Sequence, residues 1–327
     1  MQDLTPGDVR AAAAAIGGRL PRTPLLSSET LGRAFGGRAY LKAELLQKTG
    51  SFKPRGVLAK LASLTPEEKS RGVIAASAGN HAAALAYACA LEEIDCLVVM
   101  WQGASPLKRA SALGYGAAID EVATGPEDVF ERLAELEGET GRVLVHPFDD
   151  PLVIAGQGTV GLEIGEQVAD VDVVVVPTGG GGLVSGIATA LPATRIVAVE
   201  PEGSGALHEA LLAGRPVRIE PRSFADGLNA PFAGEHAVRI CRELGVESVL
   251  VSESEIATGF RFLYERAKLA AEPGGAAGVG ALLARRVPDL DGASVAVVVS
   301  GGNVAAETAS GILMEALPLA DEDRHPS

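Results

Sequence analysis

The sequence predicts an α/β fold, and three observations carry that prediction. Short continuous runs of Val, Ile, Leu and Ala recur without polar alternation; helical stretches alternate with them almost throughout; and aromatic residues are scarce. Uninterrupted apolar strands suit a parallel sheet covered on both faces, and regular alternation suits right-handed βαβ units. At 327 residues the chain can bury one large or two modest cores.

In chain order the expected strands are 72–76 (GVIAA), 96–100 (CLVVM), 143–145, 173–176 (VVVV), 196–199 (IVAV) and 295–299 (VAVVV). Helical candidates lie at 81–91, 127–137, 163–168, 182–190 and 256–270. No long Pro/Ser linker and no repeat divides the chain, so a second domain would arise by chain excursion. The tail 316–327 (ALPLADEDRHPS) is polar and is expected to fray.

Lys plus Arg number 28 and Asp plus Glu 42, a net charge of −14. Such a surface repels nucleic-acid phosphates and anionic lipids, and no basic stripe offsets it. Cys89, Cys96 and Cys241 show neither C-x-x-C spacing nor the density of a secreted scaffold, which points to buried thiols in a reducing cytoplasm. The alanine run Ala11–Ala15 follows Asp3, Asp8 and Arg10, too short and too acidic for a signal peptide. The apolar stretch 171–191 is interrupted by Asp172, Pro177 and four glycines, so it reads as strand, loop and helix rather than a membrane span.

Three glycine-rich features invite a chemical reading. Gly179, Gly180, Gly181 and Gly182 follow the VVVV strand and precede a helical run. Four bare backbone N–H groups at the positive end of a helix form an anion cradle, most naturally for phosphate, and four glycines are entropically costly for a mere turn. Gly156-Gln157-Gly158-Thr159-Val160-Gly161 matches G-x-G-x-x-G, but 152–155 before it looks like a helix start. A dinucleotide site needs a strand there and an acid about twenty residues later, so that reading is weak. Ser300-Gly301-Gly302-Asn303 puts a hydroxyl at a strand's carboxyl end, where open sheets bind ligands, although alone it is only a turn.

Lys53 stands between Phe52 and Pro54 within KTGSFKPRG. A lysine whose pKa is lowered condenses with carbonyls, and a phosphate cradle beside such an amine suggests pyridoxal phosphate. On residue logic alone, a surface or phosphate-pairing lysine fits equally well.

The sequence resembles the tryptophan-synthase-β family of pyridoxal-phosphate enzymes, fold type II, and within it the serine/threonine dehydratase (threonine ammonia-lyase) and serine racemase branch. The resemblance runs over nearly the whole chain through KTGSFKPRG, SAGNH, HPFDDPLVIAGQGT, VPTGGGGLVSG, AVEP, FADG, EPGGA and SGGN. The GQGT run is itself a family feature, which removes the nucleotide reading. The resemblance implies two α/β domains, each an open, twisted, mostly parallel sheet flanked by helices, with the cofactor in the cleft between them. A small domain would span 63–147, and 1–62 plus 148–327 would form the large one. It implies that Lys53 carries pyridoxal phosphate as a Schiff base and shuttles the α-proton, that Phe52 packs on the ring, and that Asn80 bonds the ring hydroxyl. Gly179–Gly182 would hold the phosphate and Ser300 would face the pyridine nitrogen. Ser77, Asn80 and His81, with the loop backbone, would bind the substrate carboxylate.

The implied reaction is loss of water from L-threonine or L-serine through an aminoacrylate, giving a 2-oxo acid and ammonia. Serine racemases of the family carry a serine just before Gly-Asn-His, where this chain has Ala78, which exchanges no proton. Ala83 stands where the family often has glutamine, leaving room for a bulkier substrate. Some relatives hold a divalent cation with an acid at AVEP and another six residues on; Glu200 is present but Ala206 takes the second position, so no metal is predicted. The histidines His146, His208, His236 and His325 lack metal-ligand spacing. The short stretch after SGGN leaves no room for a regulatory domain, which suggests a catabolic or specialised role. The resemblance also implies a homodimer. The rivals are racemase or β-replacement chemistry on the same fold and, outside enzymes, a protein that senses pyridoxal phosphate or an amino acid.

Overall fold

The computed structural model describes residues 4–77, 79–103, 106–125 and 128–314. Ala78 and the tail 316–327 lie outside the described residues. The strands are β1 (Leu25–Ser27), β2 (Arg38–Ala43), β3 (Val73–Ala76), β4 (Cys96–Trp101), β5 (Ala118–Ala123), β6 (Val143–Leu144), β7 (Val173–Pro177), β8 (Arg195–Pro201), β9 (Glu247–Val251) and β10 (Ser294–Val299). They form a six-stranded sheet in the order β1-β2-β10-β7-β8-β9 and a four-stranded sheet in the order β5-β4-β3-β6. Every pairing is parallel except β1 with β2.

The six strands expected from apolar runs are all present, and for all but the half-buried edge strand β6 burial on both faces explains why they do not alternate. Along β10, Val295, Val297 and Val299 enter one apolar cluster while Ala296 and Val298 enter the cluster on the opposite face. In the smaller sheet, Val73 and Ala75 face one cluster and Ile74 and Ala76 the other. The four strands that the runs do not reveal carry polar residues. β1, β5 and β9 are sheet edges with exposed positions, where a polar face blunts edge pairing. β2 is internal but contains Lys42, fully buried and paired with Glu163.

The helical candidates are all found, 182–190 with the ends expected and the others with shifted ends. The expected 163–168 segment is the last part of a 17-residue helix, Pro151–Gln167, whose start is capped by the Asp150 carboxylate accepting from the Leu152 and Val153 N–H groups. The expected 256–270 helix ends at Phe262, continues as a π turn over Leu263–Ala267, and stops at Lys268 with φ 59°. The alanine run lies in helix Pro6–Ile16, fixed by a Thr5/Asp8 capping box. The 171–191 stretch is β7, a loop and helix Gly182–Ala190. Among the described residues no helix is long and apolar enough to cross a membrane, and all three cysteines are buried and free.

Candidate active site

Parallel sheets gather their carboxyl ends on one side, and each glycine- or serine-rich loop here follows such an end. Ser77 follows β3, Thr178 and the glycines follow β7, and Ser300 follows β10. Together they line one cavity of about 530 Å³ that also contains Phe52, Lys53, Asn80 and His81. Every site residue expected from the sequence therefore lies on one cavity.

Lys53 is placed by the loop before it. That loop turns through Thr49, a non-glycine residue at φ 61°, and is stitched to the SGGN loop. Phe52 N–H donates to Ser300 O at 3.2 Å, Gly302 N–H to Gly50 O at 2.9 Å, and Asn303 Nδ2 to Thr49 O at 2.7 Å. Pro54 then starts helix Pro54–Ala62, its missing N–H costing nothing at the first helical position. Lys53 Nζ donates to Pro147 O at 2.8 Å and lies 5.2 Å from the Phe52 ring centroid. Burial pulls the amine down from 10.5 to about 8, against the attraction of Glu272.

Opposite it, the glycine run opens helix Gly182–Ala190 without a side-chain cap. Gly181 has φ 88°, a left-handed conformation that favours glycine, and a Cβ on Gly180 would lie 2.3 Å from the Phe148 ring. The first-turn N–H groups thus have no side-chain partner and present the helix's positive end to the cavity.

The SAGNH loop opens helix Asn80–Glu92, again without a side-chain cap. Ser77 Oγ accepts from Gly79 N–H at 3.2 Å. Asn80 donates through Nδ2 to Glu272 at 2.7 Å and accepts through Oδ1 from Asn303 at 2.8 Å. His81 is buried with Nε2 2.9 Å from Val145 O; because a carbonyl only accepts, Nε2 carries the proton. Burial, then the charge of Lys53, push this imidazole down to about 3, so it is neutral. Three buried polar atoms on residues lining the cavity, His81 Nδ1, Gln157 Nε2 and Asn229 Oδ1, find no partner among the described residues. Unpaired buried polar atoms are costly, and their gathering around one cavity marks a place for a polar ligand. An amine of lowered proton affinity facing an uncapped helix start fits a ligand with both an aldehyde and a phosphate.

Residues 18–301 match the family described as "Pyridoxal-phosphate dependent enzyme". The chain belongs to that family. It is 42% identical over 306 residues to an L-threonine ammonia-lyase of Thermotoga maritima, covering 92% of this chain and 76% of the relative. A solved threonine deaminase from T.th. superposes with a TM-score of 0.85 at 41% identity, over 92% of this chain and 99% of that one. Maize serine racemase superposes with a TM-score of 0.90 at 34% identity, over 94% of this chain and 96% of that one.

Within this pyridoxal-phosphate enzyme fold, several cavity residues escaped sequence reasoning. Glu272 belongs to the EPGGA run but had no assigned role; it meets Asn80 and stands close enough to act on Lys53. Gln157, inside the G-x-G-x-x-G run, lines the cavity and accepts from Gly56 N–H through Oε1 at 3.2 Å. Phe148, Trp101 and Phe130 add aromatic walls. A lone acid before Pro-Gly-Gly was the only local signal for Glu272; nothing local marked the others. Glu200 lies outside the cavity. Its carboxylate accepts from Leu207 N–H at 2.7 Å and His208 N–H at 2.8 Å, capping helix Ala206–Ala213.

Proposed function

We propose that this enzyme eliminates water from a β-hydroxy amino acid, L-threonine or L-serine, to give a 2-oxo acid and ammonia. The observation that carries the reading is the meeting of Lys53, with its amine near pKa 8, and the uncapped glycine helix start on one cavity. Relatives named threonine ammonia-lyase and threonine deaminase support it.

On this reading Lys53 would hold the cofactor, Gly179–Gly182 its phosphate, Phe52 its ring face, Asn80 its ring hydroxyl through the second Nδ2 hydrogen, and Ser300 its ring nitrogen. Bound pyridoxal phosphate supplies a carbon electrophile for amines and an electron-withdrawing ring that acidifies the substrate's α-carbon. Lys53 Nζ takes the α-proton, a task for which an amine near pKa 8 is well matched at neutral pH. The Ser77 hydroxyl and the backbone N–H groups of Asn80 and His81 orient the substrate carboxylate. The His81 ring is anchored through Nε2 to Val145, which leaves Nδ1 as an acceptor without a partner among the described residues. A hydroxyl at Ser300 does not force a proton onto the ring nitrogen, which suits expulsion of the β-hydroxyl. Ala78 offers no second proton carrier, which favours elimination over racemisation.

The same reading divides the chain into a small domain, 63–147, and a large cofactor-binding domain, 1–62 plus 148–327. The four-stranded sheet lies wholly in the first range and the six-stranded sheet in the second. It also makes the enzyme a cytoplasmic homodimer, in keeping with its buried free cysteines.

Purified protein is expected to be yellow and to release 2-oxo acid from L-threonine or L-serine, and Lys53→Ala to lose both properties. A yellow protein that racemises serine, or that joins an added thiol to it without releasing 2-oxo acid, would move the assignment to those chemistries.

A further inference from the structure

Two residues beyond Lys53, Arg55 joins a largely buried cluster of four charges that is not part of the cavity lining. Arg55 holds Glu44 through Nε and Nη2, both at 2.8 Å, and holds Glu163 through Nη1 at 2.7 Å and Nη2 at 3.0 Å. Arg55 also donates to Thr159 Oγ1 at 3.1 Å, while Lys42 Nζ reaches Glu163 and, at 2.8 Å, Gln167. Lys42, Glu44 and Arg55 are almost wholly buried. Largely buried charges are a poor source of stability, because desolvation offsets their attraction; such clusters are better at fixing the register of one element against another.

The elements registered here are informative. Arg55 lies in the first turn of the helix that begins directly after Lys53, and Thr159, Glu163 and Gln167 all belong to helix Pro151–Gln167. Gln157 of the same helix accepts from Gly56 N–H. The contact is close: a Cβ on Gly156 would lie 2.5 Å from Arg55 O, 2.6 Å from Gly56 Cα and 2.8 Å from Ala59 Cβ. The next glycine of the run, Gly158, abuts Gly186 of the helix that carries the glycine cradle, where an added Cβ would be 2.6 Å from Gly186 O. Helix Pro151–Gln167 is therefore the common neighbour of the helix presenting Lys53 and the helix presenting the phosphate-binding glycines.

We propose that Arg55 is a positioning residue for Lys53: by fastening the first turn after the lysine to helix Pro151–Gln167, it fixes the amine relative to the phosphate cradle. This rests on the functional reading above. Arginine's fork grips two carboxylates in a plane, which an ammonium cannot do, so Arg55→Lys keeps the charge but loosens the register. Gly156→Ala drives the same two helices apart by another route, while adding a residue that favours helix. Gly165→Ala is the control, since its Cβ would meet only the end of the Leu191 side chain, at 3.0 Å.

The three variants and the parent are stripped of cofactor, melted, and then titrated with pyridoxal phosphate while absorbance is followed, before steady-state assay. Arg55→Lys and Gly156→Ala are expected to form the coloured adduct roughly tenfold more slowly and to lose roughly 100-fold in kcat, with KM changed by less than about threefold. Gly165→Ala is expected to match the parent in all of these. If both test variants melt lower yet capture cofactor and turn over like the parent, Arg55 is structural and the positioning role is wrong. A parent protein that forms no coloured adduct overturns the functional reading and the positioning role together.

Discussion

Lys53 is governed by two opposed forces, burial that expels its proton and Glu272 that retains it, and burial wins. Because the folded value is about 8 rather than 10.5, the share of free amine near neutral pH is far larger than for a solvated lysine. The rate at which cofactor-free protein captures pyridoxal phosphate is therefore expected to rise with pH, half-maximal near 8. Stopped-flow absorbance across pH 6–11 checks this, and a midpoint above 10 would show a solvated lysine. Removing the attraction with Glu272→Gln is expected to lower that midpoint further. At this scale the glycines were legible because their chemistry is written in adjacent residues, whereas Lys53 was singled out by the ordered motifs around it. The bond of His81 to Val145, and the meeting of Asn80 with Glu272 across 192 positions, were not, since they exist only after folding.

Among the elements, the start of the Ala206–Ala213 helix shows how one buried acid is used. Glu200 caps this helix, accepting from Leu207, His208 and the Ser248 hydroxyl. Burial lifts its carboxyl from 4.5 to about 7 in spite of those donors. A folded value above the unfolded one means that the stability contributed by the neutral acid is fully present below about pH 4.5 and is lost as pH rises through about 7. Denaturant unfolding from pH 5 to 8 is expected to reveal a loss on the order of 3 kcal/mol in the parent. Glu200→Gln, which keeps an acceptor but cannot ionise, is expected to flatten that dependence; an unchanged slope would assign it to other groups. Element recognition followed burial: β7 and β10, covered on both faces, were plain from composition. The edges β1, β5 and β9, and β2 with its buried Lys42, were hidden by polar residues whose partners lie elsewhere in the chain.

For the whole molecule, the cavity lies between two sheets, and aromatic side chains meet beside it. Phe130, from the helix packed on the four-stranded sheet, approaches Phe232 with centroids 6.4 Å apart, and Phe232 meets Phe148 at 5.5 Å. Aromatic pairs of this kind contribute about 0.5–1.5 kcal/mol beyond burial, so Phe232→Ala is expected to raise KM about 2- to 12-fold with little change in kcat. Steady-state kinetics with L-threonine checks it; a fall in kcat alone would place Phe232 in the chemistry rather than in support of the aromatic wall.

Neighbours along the chain were enough to specify the alternation of buried strands and helices, the glycine-rich start of one helix, and the lysine ahead of Pro54. They also supplied the ordered motifs from which the family and cofactor were read. Folding alone revealed that Gly156 and Gly158 serve helix packing, that Arg55 grips two carboxylates, and that Glu200 caps a helix. The physical reason is that desolvation, close backbone approach and ion pairing depend on separation in space, and the tertiary fold sets that separation between residues as distant as Arg55 and Glu163.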